Sequence, residues 1–309
     1  MDQLWHYVIG VSFLTSSLAL ATPLGFAALG GMVSERAGVV NIALEGMLLA
    51  AAFGSVFVMS KTGQVWLSVL FGMASAGIIG VLLAVFAVWG RINQIIVGIS
   101  LNLFTLGITG VLASIVFSQS PSVPRVHRLQ IPLLHRIPVL GPSLFSQSVL
   151  FYLLFVVAAA LVFVLFRTRV GLSLRAVGEN VGAAESAGLR PGLIRAVAVV
   201  LSGLIAGLGG VFIALAQSGS FSQGMTGGVG YLAFAILILA DRRPVVVLIS
   251  ALLFGAIQSI ALELQVVAPS FPPQFTQMIP HLITVVVFVA VGAKAFAPGE
   301  LGRPLRVRR

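Results

Sequence analysis

The chain has 309 residues, of which 59% are apolar and 8% are charged, and its formal net charge is +10 at pH 7. A soluble domain of this length carries about 25% charged residues, so the composition excludes one. The absence of cysteine excludes disulfides and thiolate metal sites. Several apolar stretches are long enough, at about 20 residues, to cross a bilayer core of about 30 Å as helices. The sequence therefore predicts an all-α, polytopic membrane protein.

Nine apolar stretches are predicted to span the membrane, within a range of eight to ten. The seventh is short for a full crossing, so we expect it to be re-entrant or extended by its neighbours. No Lys or Arg precedes residue 36, so the first stretch lacks a signal-peptide n-region and is expected to remain as a span. The predicted spans are 7–30, 40–60, 65–89, 95–117, 148–166, 196–217, 229–240, 245–267 and 277–293.

The positive-inside rule orients these spans with the amino terminus outside and the carboxyl terminus in the cytoplasm. This orientation leaves four cations outside, namely Lys61, Arg125, Arg128 and Arg136, and the other fourteen of the 18 Lys and Arg residues inside. Cytoplasmic loops therefore explain the net charge, and nucleic-acid binding is not expected.

Two connections between the spans are long. Residues 118–147 contain five prolines and are predicted to form a large external loop, because proline interrupts regular helices. Residues 167–195 mix Arg and Glu with small residues and are predicted to form a cytoplasmic loop. Within it, Glu179 or Asn180 is expected to cap a short helix that ends at Gly188.

Small residues recur at four-residue spacing in two of the predicted spans. Gly203 and Gly207 form one such pair, and Gly72, Ala76 and Gly80 repeat the spacing. Small residues at this interval let membrane helices approach closely, so a packing role is predicted for both sets.

Polar side chains inside apolar spans are the strongest local functional signal, because they normally face the bundle interior or a wet cavity. On a helix, Asn41 and Glu45 would share one face at i, i+4 spacing. Three more polar residues form a stripe on the fourth predicted span. The candidates for a translocation path are Asn41, Glu45, Asn102, Thr105, Thr109, Gln217 and Gln258.

Three roles remain open for Glu45. It could be a structural tie that caps a broken helix or binds backbone amides. It could line a solute path. It could carry a proton or ion, in which case Glu263 would be its partner in a relay.

Motifs for catalysis and nucleotide binding are missing. The chain has two lysines, Lys61 and Lys294, and neither lies in the GxxxxGK[ST] phosphate-binding pattern. HExxH and GxSxG are also absent. We therefore predict that the chain is not an enzyme, has no catalytic residues and no metal site, and binds no cofactor itself.

Four stretches carry a resemblance to a known family. They are "SERAGVVNIALEGMLL" at 34–49, "NQIIVGISLNLF" at 93–104, "GLSLRAVGENVGAAESAGL" at 171–189 and "LSGLIAGLGGVFIAL" at 201–215. In this order they resemble the permease subunits of ABC-type nucleoside and simple-sugar importers, within the superfamily of ribose and branched-chain amino acid permeases. The resemblance covers nearly the whole chain and is closest to the nucleoside branch through "ERAGVVNIALEGM".

This resemblance implies a type II-like importer fold in which residues 1–309 form a single transmembrane permease domain of a bacterial-type cytoplasmic membrane. It also implies a separate ABC ATPase that binds ATP and Mg, a second homologous permease in a heterodimer or homodimer, and an extracytoplasmic substrate-binding protein or lipoprotein. The 167–195 loop would couple the permease to the ATPase. The candidate coupling residues are Arg175, Gly178, Glu179, Asn180, Glu185 and Gly188.

The expected function is ATP-driven import of nucleosides by alternating access. Two alternatives are kept open. The same machinery could import a simple sugar or a branched-chain amino acid, or the chain could act alone as an ion-coupled secondary transporter.

Overall fold

The computed structural model describes residues 10–117, 121–127, 129, 140–267, 272–291 and 297–304. All the regular elements within these residues are helices, which confirms the all-α class. We number the helices in chain order as α1 (Val11–Arg36), α2 (Leu44–Thr62), α3 (Val65–Leu83), α4 (Gln94–Val116), α5 (Leu140–Leu144), α6 (Val149–Arg167), α7 (Arg169–Glu179), α8 (Val181–Ser186), α9 (Pro191–Val211), α10 (Val229–Leu239), α11 (Pro244–Val267) and α12 (Pro273–Val291). Two of them continue into π-helical stretches, α3 into Ala84–Trp89 and α9 into Phe212–Ser218.

Seven helices in the described residues are long and apolar enough to cross a membrane: α1, α2, α3, α4, α6, α9 and α11. The predicted count of nine is therefore not confirmed. α10 has 11 residues, which is a length of about 16 Å and only half of the bilayer core. α12 covers most of the predicted span 277–293, whose last two residues lie outside the described residues.

The centre of the bundle is formed by α1, α2 and α9, which bury Phe26, Leu29, Met47 and Leu48 among many apolar side chains. The predicted small-residue packing is confirmed where α3 meets α9. A Cβ atom added at Gly203 would lie 2.7 Å from the carbonyl oxygen of Ala76. Only glycine permits this approach of the two backbones.

A proline inside α1 leaves a backbone carbonyl without a hydrogen bond, and a distant glutamine donates one to it. Pro23 has no N–H, so the carbonyl of Ala19 has no donor within the helix. Gln217, in the π-helical end of α9, donates its Nε2 hydrogen to this carbonyl at 2.8 Å. An unpaired carbonyl is costly inside a bilayer, so this contact satisfies the backbone at the break.

One end of the bundle, which we call the arginine-rich end, contains Arg36, Arg195, Arg242 and Arg243. Arg242 and Glu35 form a buried ion pair at 2.7 Å between Nε and Oε2. Arg36 donates to the carbonyl of Arg242 from both Nε and Nη2, at 3.2 and 3.0 Å. These contacts fasten the end of α1 to the turn between α10 and α11.

Residues 297–304 lie across the same end of the bundle. The N–H of Glu300 donates to the carbonyl of Gly178 at 2.9 Å, and the N–H of Gly302 donates to that of Gly38 at 3.2 Å. The buried Arg195 joins this segment to the end of α1, since it donates to the carbonyls of Ala37 and Arg303. The segment therefore ties α7 and α9 to the connection that leads into α2.

Candidate functional site

The connection between α1 and α2, residues 37–43, is not helical. Gly38 has a φ of 87°, a left-handed conformation that favours glycine, and α2 begins only at Leu44. The prediction that Asn41 and Glu45 share a helix face is therefore wrong, because Asn41 precedes the helix. Its Nδ2 donates to Ser202 Oγ at 2.9 Å, and Val40 N–H donates to Gln94 Oε1 at 2.7 Å. Side chains of α9 and α4 thus form hydrogen bonds with this irregular segment.

The first turn of α2 is capped by a residue of another helix. Its own N-cap, Ala43, has no side chain that could accept a hydrogen bond. Asn102 of α4 replaces it, since its Oδ1 accepts from the N–H of Gly46 at 2.8 Å. The same amide donates from Nδ2 to the carbonyl of Ile42 and to Tyr231 Oη, at 2.9 and 3.2 Å.

Glu45 caps α10 in the same way, from across the bundle. The N-cap of α10 is Gly228, which has no side chain. The Oε1 of Glu45 accepts from Thr226 Oγ1 at 2.6 Å and from the N–H of Gly228 at 2.9 Å. Its Oε2 accepts from the N–H of Gly230 at 2.7 Å. The Glu45 side chain therefore satisfies three donors at the start of this half-length helix.

Two helix N-termini consequently meet at one carboxylate. Glu45 lies in the first turn of α2, and Gly230 packs so closely on it that an added Cβ would lie 2.6 Å from the Glu45 Cα. Each helix N-terminus has a partial positive charge, which stabilises a nearby anion by about 0.3–1 kcal/mol and by up to about 2 kcal/mol when partly buried. These contacts are the ones expected of a structural tie, the first of the three roles left open for Glu45.

A cavity of about 200 Å³ adjoins the tie. Glu45, Asn102, Tyr231 and the backbone of Gly227 line it, together with Leu103 and Leu106. Discontinuous helices that meet beside a polar cavity are a common way for transporters to build a solute path. The cavity has hydrogen-bonding groups beside apolar walls, and such a lining suits the binding and passage of a small polar solute.

The other candidate path residues divide into three groups. Thr105 and Thr109 are buried on α4, where the Thr109 hydroxyl donates to the carbonyl of Thr105 at 2.7 Å. Gln217 donates to the backbone of α1, as described above. Gln258 lines a second cavity, of about 460 Å³, between α1, α10, α11 and α12. Of the seven, the structure brings Glu45 and Asn102 together at one cavity.

The predicted coupling loop consists mainly of two helices, α7 and α8. Asn180 caps α8, because its Oδ1 accepts from the N–H of Ala183 at 3.0 Å. Gly188 ends the helical turn at a φ of 81°, with the N–H of Leu189 donating to the carbonyl of Ala184 at 3.0 Å. The predicted short helix is thus present with Asn180 as its cap, and it ends at Ser186, two residues before Gly188.

The remaining coupling candidates differ in their surroundings. Gly178 packs against the backbone of Arg36, and Glu179 Oε2 accepts from the N–H of Gly299 at 3.3 Å. The guanidinium of Arg175 lies 5.3 Å from the ring centre of Phe166. Glu185 lies on α8, where Ala184 is the one buried residue. Gly178, Glu179 and Arg175 thus contact the bundle, whereas most residues of α8 are exposed or half-buried.

Several contact residues of the site were not predicted from the sequence. Thr226 and Tyr231 belong to the glycine-rich region around α10, and Ser202 is the partner of Asn41. The run "GMTGG" at 224–228 was the available signal. Closely spaced glycines before a short apolar helix indicate an irregular backbone at membrane depth, which is tolerated where it lines a cavity.

Within the described residues, seven helices are long and apolar enough to cross a membrane, and two helix N-termini meet at Glu45 beside a polar cavity. These features are typical of a multi-pass membrane protein of the transport-permease class. Residues 13–288 match the family described as "Branched-chain amino acid transport system / permease component", and the chain belongs to this family. It is therefore a permease component of a transport system.

Two curated relatives match almost end to end. The nucleoside ABC transporter permease protein NupC of Lactococcus lactis is 37% identical over 92% of this chain and 93% of its own length. The guanosine ABC transporter permease protein NupQ of Bacillus subtilis is 34% identical over 94% of each chain. A solved structure of an inward-facing metal-chelate type ABC transporter has a TM-score of 0.51 and 16% identity, covering 94% of this chain and 88% of that one. This likeness confirms an ABC transporter permease fold.

Proposed function

We propose that this chain is the permease subunit of an ATP-driven importer that moves nucleosides across the cytoplasmic membrane. The observation that carries the proposal is the similarity to NupC and NupQ over more than nine-tenths of the chain. A nucleoside offers hydroxyl groups and base edges, which the amide and hydroxyl groups beside the cavities can meet. In this proposal the arginine-rich end lies in the cytoplasm, in agreement with the positive-inside rule.

ATP hydrolysis is assigned to a separate ABC ATPase that binds ATP and Mg. The short helix α8, most of whose residues are exposed or half-buried, would fit a groove of this partner, as helices often do at protein interfaces. A movement of α8 can be transmitted to Glu45 through residues that pack against one another. Gly178 of α7 contacts the backbone of Arg36, and the connection 37–43 leads from there to Glu45. Shifts of packed helices along this route would open the path to each side in turn.

Two further partners complete the proposed importer. The cavity beside Glu45 opens at Leu103 and Tyr231, which are 65% and 49% exposed, so a second homologous permease would close this side of the path. A substrate-binding protein or lipoprotein would dock outside at the loop 118–147. Part of that loop already lies on the bundle, since the N–H groups of Val123 and Val126 donate to the carbonyls of Gly219 and Leu215.

Competition of uptake tests the substrate. We expect unlabelled nucleosides to block uptake of labelled uridine or adenosine by the assembled transporter, whereas ribose and leucine do not. Competition by ribose or leucine with no effect of nucleosides would assign the importer to another solute.

Charge reversal on α8 tests the proposed ATPase contact. Replacing Glu185→Arg should reduce the ATPase that co-purifies with the chain by about tenfold, the equivalent of roughly 1.4 kcal/mol of docking free energy. Insertion in the membrane should be unchanged, because the half-buried Glu185 side chain has no hydrogen bond or ion pair with the described residues. Lys61→Glu is the matched control, since it reverses a charge at the far end of α2. Normal co-purification with Glu185→Arg would contradict the assignment of α8.

A further inference from the structure

We propose that the cavity between α1, α10, α11 and α12 is a binding site for the base of the transported nucleoside, and that Gln258 reads the base edge. This inference rests on the proposed function and deepens it. It assigns solute recognition to a place separate from the Glu45 tie.

The size and chemistry of this cavity define the class of ligand. Its volume is about 460 Å³, within the range of 300–1,000 Å³ that is typical of small-molecule sites. No Asp, Glu, Lys or Arg is present among the described residues that line it, and the titratable side chain among them is His281. Leu20, Met225, Leu232, Ala261 and Leu262 provide apolar walls. The site therefore suits an uncharged ligand with an apolar body.

Gln258 is a polar lining group that can hydrogen-bond to such a ligand. Its side chain is half-buried, and within the described part of the chain no group hydrogen-bonds to it. By contrast, the neighbouring Gln265 is held in place, because its Nε2 donates to Thr276 Oγ1 at 2.7 Å. Gln258 thus presents one acceptor and two donors to the cavity.

A carboxamide matches the edge of a nucleobase. Its oxygen and NH₂ group form a pair of hydrogen bonds with an adjacent donor and acceptor, as glutamine does with the N6 and N7 atoms of adenine in DNA. The apolar walls of the cavity would pack against the faces of the base. Loss of such a pair therefore weakens recognition of the base.

The cavity adjoins the tie through the glycine-rich segment 224–228. Gly227 lines both this cavity and the smaller one beside Glu45. Gly224, Gly227 and Gly228 all have positive φ values, of 71°, 55° and 85°. Glu45 holds the segment through Thr226 and Gly228. A solute bound at Gln258 is therefore separated from the next cavity by one backbone segment.

Single cysteines test occupancy directly, because the chain has none of its own. Leu262→Cys places a thiol in the cavity wall, and Leu253→Cys places one elsewhere on α11, where the native leucines are 51% and 52% exposed. In the assembled transporter in membranes, saturating nucleoside should slow labelling by a neutral maleimide at least fivefold at position 262 and leave position 253 unchanged. Equal labelling rates at 262 with and without nucleoside would overturn the proposal.

Transport kinetics test the role of the amide. Gln258→Leu should raise the KM for nucleoside uptake by about tenfold, or roughly 1.4 kcal/mol, with little change in the maximal rate. It should also reduce the preference for the nucleoside over an analogue that lacks the exocyclic group of the base. Gln64→Leu is the matched control, because Gln64 is exposed and precedes α3. An unchanged KM in a transporter that still imports nucleosides would overturn this inference alone, whereas no nucleoside uptake by the wild type would overturn the proposed function as well.

Discussion

Replacement of Glu45 by glutamine should lower nucleoside uptake by at least tenfold. The amide keeps an acceptor oxygen but directs its NH₂ group towards a donor, so the N–H of Gly228 or Gly230 loses its partner. An unpaired buried donor costs about 1–3 kcal/mol. The variant also removes the negative charge that two helix N-termini stabilise. Uptake by the reconstituted transporter and the thermal midpoint of the purified chain measure the effect.

A second glutamate provides the control for this experiment. Glu263 lies on α11 without a hydrogen bond to any described residue, so Glu263→Gln should retain both uptake and thermal stability. Unchanged uptake by Glu45→Gln would show that the junction of α2 and α10 does not need the carboxylate. Loss of uptake by Glu263→Gln alone would instead support an ion-coupled carrier.

Replacement of Arg242 by methionine should give the largest loss of stability. It leaves the Glu35 carboxylate buried without its cation, because only 1% of that side chain is exposed. Removing one partner of a buried ion pair typically costs roughly 3–5 kcal/mol. We expect a fall of several degrees in the thermal midpoint and a lower amount of chain in the membrane. Thermal unfolding in detergent measures the first, and immunoblotting measures the second.

Two variants make this prediction specific. The double variant Glu35→Leu/Arg242→Met should recover most of the lost stability, since it removes both buried charges. Arg243→Met should be close to neutral, because the Arg243 side chain is 68% exposed and its contact with Asp241 is 3.7 Å long. A double variant as unstable as the sum of the single variants Glu35→Leu and Arg242→Met would contradict a coupled pair.

Features that depend on neighbouring residues in the chain were predictable from the sequence. The described helices lie where apolar runs indicated spans, and the 229–240 run is a short helix because it lies between glycines and a charged turn. The cap at Asn180 and the turn at Gly188 follow from local backbone chemistry. The contact of Gly203 with α3 follows from residue size at a fixed spacing.

The site itself depends on partners that are far apart in the chain. The groups bonded to Glu45 are 181 to 185 residues away, and Gln217 lies 198 residues from Ala19. The sequence predicts Asn41 on a helix because the apolar run continues through it. In the structure, side chains of α4 and α9 stabilise an irregular backbone there. No local sequence pattern specifies such contacts. The sequence therefore indicates a functional site only through the polar residues inside its apolar spans.

The role of a separate ATPase can be tested by one accumulation measurement. One set of sealed vesicles contains the assembled transporter, and a matched set lacks the ATPase subunit. Both sets receive labelled nucleoside and a binding protein on one side of the membrane and ATP on the other. We predict accumulation against a gradient only when both ATPase and ATP are present at the arginine-rich end. Accumulation by vesicles that lack the ATPase, driven by an ion gradient, would contradict this account.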